Sequence, residues 1–206
     1  MINITPVILA AGDSARMGHP KALLPLGAET FLTRILATLR ELGLADARVI
    51  LGTHEPQIRP LLLSCQVRIL VNPNPERGQF SSMRLALENL DFDCRGCLIW
   101  PVDQPLISPG LVRNLIRLFW HTSAPLVMPV YSGKTGHPAL FGRVLIDELL
   151  AAPPDANPKL IIAKYKAEAA QLPCNERGTV EDIDTPDDYL RLTGESLPLV
   201  LARQDK

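Results

Sequence analysis

The chain has 206 residues, 47% of them hydrophobic and 21% charged, which supplies a core for one domain and excludes a disordered polymer. Its formal net charge of -1 leaves no global field for nucleic acid or an anionic membrane, so anion binding must come from a local cluster. No apolar run nears the roughly 20 residues that span a bilayer, and no cationic segment precedes an apolar stretch at the N-terminus, so a cytoplasmic location without a membrane is expected.

Residues 7–10 (VILA) read as a short buried strand. It empties into a small-residue loop carrying Gly12, Ser14, Arg16, Gly18 and Lys21. Backbone N–H groups of such a loop can converge on phosphate oxygens, and Arg16 and Lys21 add a planar fork and a point charge. Residues 22–27 are apolar but broken by Pro25. Thr30 opens a helix with Phe31, Ile35, Leu36, Leu39 and Leu42 on one face, and Gly43 stops it.

Residues 48–52 form a second strand, 56–64 a short helix starting near Pro56, and 66–71 a third strand. The turn formers of 72–78 make a loop, and Ser81 or Ser82 caps the helix running to Leu90. Residues 97–102 (CLIWPV) form a fourth strand that ends at Asp103. Ser108 and Pro109 start another helix through Phe119, and 125–130 form a fifth strand.

Strands alternating with helices imply a parallel sheet covered on both faces. Such sheets bind ligands beyond the carboxyl ends of their strands, so Gly12, Arg16, Lys21 and Asp103 should share one cleft. The rest is less regular. Residues 131–141 are a glycine-rich loop entering a short strand, 143–150 and 160–166 are helical, and 151–158 form a loop with three prolines. Residues 179–184 (TVEDID) alternate with period two, placing Asp182 and Asp184 on one side. Pro186 starts a final helix through Leu192, and residues 193–206 form a tail with no assigned role.

The four cysteines are Cys65, Cys94, Cys97 and Cys174. The CxxC pair at 94–97 has no second close pair, and ordinary reduced thiols are expected. Asp103 reads as a hard oxygen ligand for Mg²⁺ or as a helix cap; Asp184 with Asp187 and Asp188 reads as a metal ligand or as a helix-start signal.

Two familiar phosphate loops fail on spacing. A dinucleotide fingerprint needs glycine where Ala10 stands, and a P-loop needs lysine where His19 follows Gly18. The pattern LAAGxSxRMGxxK matches residues 9–21 at all nine specified positions. With it stand Asn72-Pro73, Gly78, Ser81 and Ser82; residues 102–106 (VDQPL); residues 136–141 (GHPALF); and residues 182–189 (DIDTPDDY).

On these motifs the chain resembles the MobA-like nucleotidyltransferases, and within them the molybdenum cofactor cytidylyltransferases. The resemblance runs to about residue 192. It implies one α/β domain over residues 1–192, a three-layer Rossmann-like (GT-A-like), mostly parallel sheet with helices on both faces, followed by a C-terminal tail over 193–206. It implies Mg²⁺-dependent transfer of CMP from CTP to the phosphate of molybdopterin, with release of pyrophosphate. Cytidylyl-transferring members carry LAAG where guanylyl-transferring ones carry LAGG, and the extra methyl of Ala11 narrows the loop beside the base.

By the same resemblance Arg16, Lys21 and Asp103 are catalytic. Leu9, Ala10, Ala11, Gly12, Ser14 and Ser82 join them in binding the nucleotide. Gln104, Gly136 and His137 bind the acceptor. Asp103 and Asp184 hold the metal, with Asp182 able to replace Asp184. A molybdenum hydroxylase is the implied recipient of the product. Two segments depart from the family pattern: residues 154–160 keep only Asp155 of a GDxGAR-like stretch, and Gln79-Phe80 replace a Gly-Met pair. They leave room for a sugar phosphate or another phosphorylated acceptor, or for an inactive accessory that only binds nucleotide or cofactor.

Overall fold

The computed structural model describes residues 3–44, 46–154 and 156–204, so Asp155 lies outside the described residues. The chain runs β1 (Ile4–Ala10), β2 (Pro25–Leu26), β3 (Glu29–Thr30), α1 (Phe31–Glu41), β4 (Ala47–Leu51), α2 (Glu55–Leu62), β5 (Val67–Val71), α3 (Gln79–Glu88), β6 (Gly96–Pro101) and α4 (Pro109–Thr122). It continues through β7 (Leu126–Tyr131), β8 (Lys134–Thr135), β9 (Ala139–Gly142), α5 (Arg143–Ala151), α6 (Pro158–Lys164), β10 (Ala170–Pro173), α7 (Pro186–Thr193) and α8 (Leu197–Gln204). Among the described residues no helix is long and apolar enough to cross a membrane.

The main sheet has the order β10-β7-β9-β6-β1-β4-β5, with β8 paired to β7. β1 is parallel to both β4 and β6, and β9 runs antiparallel between β6 and β7. All seven residues of β1 are buried, and they alternate between two cores. Ile4, Ile8 and Ala10 face the layer that holds Phe31 and Ile35 of α1 and Leu115 and Phe119 of α4. Val7, Leu9 and Ala11 face Met83 and Leu87 of α3 and Leu145 of α5. A continuous apolar run whose successive side chains point to opposite faces is what a strand covered on both faces requires. The result is the mostly parallel, three-layer α/β architecture.

Topology fixes where the site must be. From β1 the chain moves outward to β4 and β5 on one side, then returns to β6 on the other. The strand order reverses at β1, and a crevice opens there beyond the carboxyl ends. The register pairs Leu9 with Pro101, so the loop after β1 and Asp103 after β6 leave the sheet side by side.

Four local features differ from the sequence expectation. First, α3 begins at Gln79 with Gly78 as its cap, at φ +87°, rather than with Ser81 or Ser82. Both serine hydroxyls instead accept hydrogen bonds from Asn72 Nδ2, at 2.8 and 2.9 Å. Second, residues 181–184 form no strand. Ile183 N–H donates to the Asp103 carbonyl at 3.1 Å and Asp182 accepts from Gln104, so this segment is tied to the end of β6 rather than to a neighbouring strand. Third, β10 is an edge strand parallel to β7, only four residues long and ending in proline, with too little patterning to be read alone. Fourth, the chain beyond residue 192 is ordered as α8, with Leu197 buried in the first core and Val200 and Leu201 against it.

The capping readings of two acids also resolve. α4 is capped by Ser108, whose hydroxyl accepts from Leu111 N–H at 3.1 Å, and α7 by Thr185 in a capping box with Asp188. Asp103 and Asp184 are therefore free for other chemistry. The Asp188 carboxylate accepts from Thr185 Oγ1 at 2.7 Å and from the backbone N–H groups of Thr185 and Asp184 at 2.8 and 3.1 Å. The Thr185 hydroxyl and these N–H groups hold the acid at about 2, below the ordinary 3.8. A depressed carboxylate contributes stability that is present above its unfolded value and lost as pH falls through the folded one. Melting temperature should therefore drop between about pH 4 and pH 2. Asp188→Asn should melt lower at pH 7 and lose part of that acid dependence, as followed by circular dichroism.

Candidate active site

The loop after β1 is held open by its own backbone. Ser14 sits at φ +54° and Gly18 at φ +69°, and the N–H groups of Met17 and Gly18 both donate to the Ser14 carbonyl at 3.0 Å. Met17, 3% exposed, anchors the loop in the core. Ser14 Oγ accepts from Lys21 N–H at 3.2 Å, which fixes where the lysine stem begins. Asp13 caps the turn by accepting from Ala15 N–H at 3.2 Å, and its carbonyl lies 2.8 Å from His54 Nε2. On the other side, a Cβ on Gly52 would lie 2.4 Å from the Ala11 carbonyl oxygen, so β4 can end against this loop only with glycine there.

A cavity of about 620 Å³ opens at the switch point. One wall is the loop, including Leu9, Ala10, Ala11, Gly12, Ser14 and Arg16; Lys21, Asp103 and Asp184 close one end. The opposite wall comes from Pro75, Glu76, Gly78 and the start of α3, with Gln79 and Ser82. Thr53, His54, Pro75 and Glu76 also line the cavity, and no motif in the sequence marks them as site residues. Their signal was positional: they follow β4 and β5, the strands that continue the sheet from the switch point.

The charged groups form one linked array. Lys21 Nζ lies 2.9 Å from Asp103 Oδ2 and also donates to Asp184 Oδ1. Arg16 Nη2 lies 2.8 Å from Asp184 Oδ2, with its side chain 71% exposed at the cleft mouth. Burial alone would lower the Lys21 ammonium, but Asp103 and Asp184 outweigh it and hold its pKa above the ordinary value. Burial pushes the Asp103 carboxyl up, with Lys21 opposing and the two neighbouring acids adding. For Asp184 burial also pushes up, but Lys21 and Arg16 prevail and hold it below the usual range. Asp103 Oδ1 is buried with no hydrogen-bond partner.

Gln104, Gly136 and His137 do not line this cavity. Gln104 is 3% exposed; its Nε2 donates to Asp182 Oδ1 at 2.7 Å, and its carbonyl accepts from the buried Trp100 indole at 2.9 Å. Gly136 is required by packing, since a Cβ there would lie 2.0 Å from the Thr179 carbonyl oxygen. His137 N–H donates to that same carbonyl at 2.8 Å. Burial pushes the His137 imidazole below its ordinary value, against the pull of Asp182 and Asp103, and its Nδ1 has no partner. These three residues tie the 177–184 segment to the ends of β6 and β9. Asp182 is turned to Gln104, which leaves Asp184 as the acid facing Lys21.

Gln104 thus ties Asp182, two residues before Asp184, to the residue that follows Asp103. Gln104→Leu should cost about 1 kcal/mol of stability, because it leaves the Asp182 carboxylate without that donor. A melting temperature equal to that of the wild type, read by circular dichroism, would remove this role.

The CxxC thiols make no site. Cys94 Sγ donates to the Gly96 carbonyl at 3.1 Å, and burial pushes the Cys97 thiol well above its ordinary value. Among the described residues no group of three or more His, Cys, Asp or Glu side chains is placed to hold a metal.

A mostly parallel sheet whose switch point carries a small-residue loop, two cations and two carboxylates defines a Rossmann-like α/β protein with a charged cleft at that point. The chain belongs to the MobA-like NTP transferase domain family, whose profile matches residues 6–169. It is 28% identical over 200 residues to a probable molybdenum cofactor guanylyltransferase of Mycobacterium avium, covering 93% of this chain and 95% of that protein. It is 24% identical over 197 residues to the molybdenum cofactor cytidylyltransferase of Escherichia coli, covering 92% and 95%. Similarity to the bifunctional protein GlmU of Gloeobacter violaceus is 29% over 146 residues, 70% of this chain but only 31% of that longer protein. Among solved structures, Rv0371c of Mycobacterium tuberculosis superposes with a TM-score of 0.78 at 29% identity, covering 93% of this chain and 97% of that one. A manganese complex of the same mycobacterial protein aligns at a TM-score of 0.72 and 25% identity, covering 93% and 98%.

Proposed function

We propose that this protein is a nucleotidyltransferase that moves CMP from CTP onto the terminal phosphate of a molybdopterin-type acceptor. The observation that carries this reading is the array of Arg16, Lys21, Asp103 and Asp184 around one cleft at the end of β1. An acceptor phosphate oxygen bonds to the α-phosphorus, the bond from that phosphorus to the bridging oxygen breaks, and pyrophosphate leaves with the electron pair. A phosphate is already anionic at neutral pH, so no protein base is needed. The chain's work is positioning and charge neutralisation. Lys21 and Arg16 stabilise the charge that gathers on the α-phosphate and the leaving group.

Mg²⁺ fits the acids present. Asp103 offers a buried, unpartnered carboxylate oxygen and Asp184 a second hard ligand, and Mg²⁺ is commonly held by one or two carboxylates with phosphate oxygens completing its shell. When bound, it supplies positive charge to the phosphate oxygens. The mycobacterial relative crystallised with manganese supports a divalent ion here.

Support for CTP comes from Ala11. It lines the cavity, as Ser82 does, and belongs to the apolar layer with Met83 and Leu87 of α3. The support is the LAAG pattern itself, which places alanine where guanylyl-transferring members carry glycine. Residues 1–192 carry the transferase in this reading, with α8 packed against their core, and a molybdenum hydroxylase receives the product.

Pyrophosphate release from CTP, GTP, ATP and UTP, with Mg²⁺ and molybdopterin, tests the reading. CTP should exceed the other three. A preference for GTP would overturn the base assignment, and turnover with a sugar phosphate in place of molybdopterin would overturn the acceptor. Tight CTP binding without pyrophosphate release would show an accessory binding protein instead.

A further inference from the structure

The position of Lys21 has a consequence beyond neutralising phosphates. Its ammonium donates to one oxygen of Asp103 and one of Asp184, the two acids assigned to the divalent metal. A cation bridging two carboxylates is the arrangement a metal ion would make. We propose that Lys21 occupies the metal position in the nucleotide-free protein, so that the divalent ion binds weakly until nucleotide phosphates draw the lysine away. The proposal rests on the nucleotidyltransferase reading above and concerns how that site is loaded.

Charge balance in the cleft supports it. Asp103 and Asp184 are each paired with a cation, Lys21 bridging both and Arg16 meeting Asp184, while Asp182 adds a further negative charge near Asp103. The Lys21 side chain is only 14% exposed, and those of Asp103 and Asp184 are 22% and 25% exposed, so the charges interact with little water between them. A divalent cation added alone would have to displace an ammonium from a partly buried ion pair and leave that ammonium beside it without a carboxylate partner. A nucleotide triphosphate removes both penalties: it brings the negative charge and gives Lys21 another anionic partner.

The lysine is built for such an exchange. Its backbone is fixed, with its N–H on Ser14 Oγ at 3.2 Å and a 3-10 turn over Lys21–Leu23. Its head sits on a flexible four-carbon stem, so the charge can move while its anchor stays. Arg16 behaves differently. It reaches Asp184 from the cleft mouth, touching only the oxygen Lys21 does not use, and so leaves the bridging position to the lysine.

The thermodynamic consequence is a reciprocal coupling: nucleotide raises metal affinity, and metal raises nucleotide affinity by the same factor. Removing the ammonium should uncouple them. Mn²⁺ binding, read by the loss of the free-ion electron paramagnetic resonance signal, should be weak in the nucleotide-free wild type. It should be at least about tenfold tighter in Lys21→Met and Lys21→Gln, and stay weak in Lys21→Arg, which keeps a cation between the acids. The gain should vanish in the Lys21→Met/Asp184→Asn double variant.

Equal Mn²⁺ affinities for wild type, Lys21→Met and Lys21→Gln would overturn the proposal. So would tight binding by the wild type without nucleotide. Circular dichroism establishes that each variant is folded, and if Lys21→Met is not, Lys21→Gln makes the same comparison. The readout is separable from the reaction. Normal exchange behaviour with no pyrophosphate release would sink the catalytic reading alone; equal affinities with normal turnover would sink only the exchange.

Discussion

Asp103→Asn should lower kcat/KM for the nucleotide by about 10²–10³ while leaving the fold intact, because it removes charge from an oriented group in the cleft without removing volume. The position explains the size of the effect. Asp103 follows β6 at the switch point, its Oδ2 takes the Lys21 ammonium at 2.9 Å, and its Oδ1 is buried without a partner. Asparagine keeps an oxygen for Lys21 but loses the negative charge that makes the acid a hard cation ligand. Asp184→Asn should cause a comparable loss, and the double variant little more than the worse single one, if both acids serve one ion as proposed. Steady-state rates at saturating Mg²⁺ decide the matter. A single variant within tenfold of wild type would remove Asp103 from the reacting centre, and fully additive losses would show that the acids act on different charges.

Much of this site is legible in the sequence because parallel strands covered on both faces read as short apolar runs. Residues 7–10 and 97–102 are such runs, and the first polar residues after them fall at the carboxyl edge where ligands bind. That logic places Gly12, Arg16, Lys21 and Asp103 in one cleft without any view of side chains, and the structure has all four on its wall. What the sequence hides is what long-range contacts decide. The alternation in TVEDID is real, but Ile183 and Asp182 are held by Asp103 and Gln104 at the end of β6, so no strand forms. Ser82 looks like a cap, yet Asn72 claims its hydroxyl from ten residues away. Gln104 lies in VDQPL and Gly136 and His137 in GHPALF, two stretches read by resemblance as acceptor-binding, but a resemblance gives no direction for side chains. In the structure they pack the segment that carries Asp184 instead of lining the cleft.

Lys21→Ala should lower kcat by about 10²–10³, with a much smaller change in KM for the nucleotide. An ammonium matched to charge that develops on the α-phosphate and the leaving pyrophosphate acts more strongly in the transition state than in the bound substrate. Arg16, more exposed and already at the cleft mouth, still attracts the triphosphate, so ground-state binding survives. The same substitution frees Asp103 and Asp184 from their internal cation. Half-maximal activation should therefore require less Mg²⁺ in Lys21→Ala than in wild type, even as the maximal rate collapses. Opposite movements of these two quantities distinguish a lysine that both neutralises phosphate and guards the metal site from one that only binds substrate, which would raise KM and leave the metal requirement unchanged. Lys21→Arg should keep the wild-type metal requirement. Its guanidinium still places a cation between the two carboxylates, but its planar fork cannot meet the phosphates as a compact ammonium does, so turnover should recover only in part. A Lys21→Ala enzyme with near-normal kcat would show that the charge on the leaving group is met elsewhere.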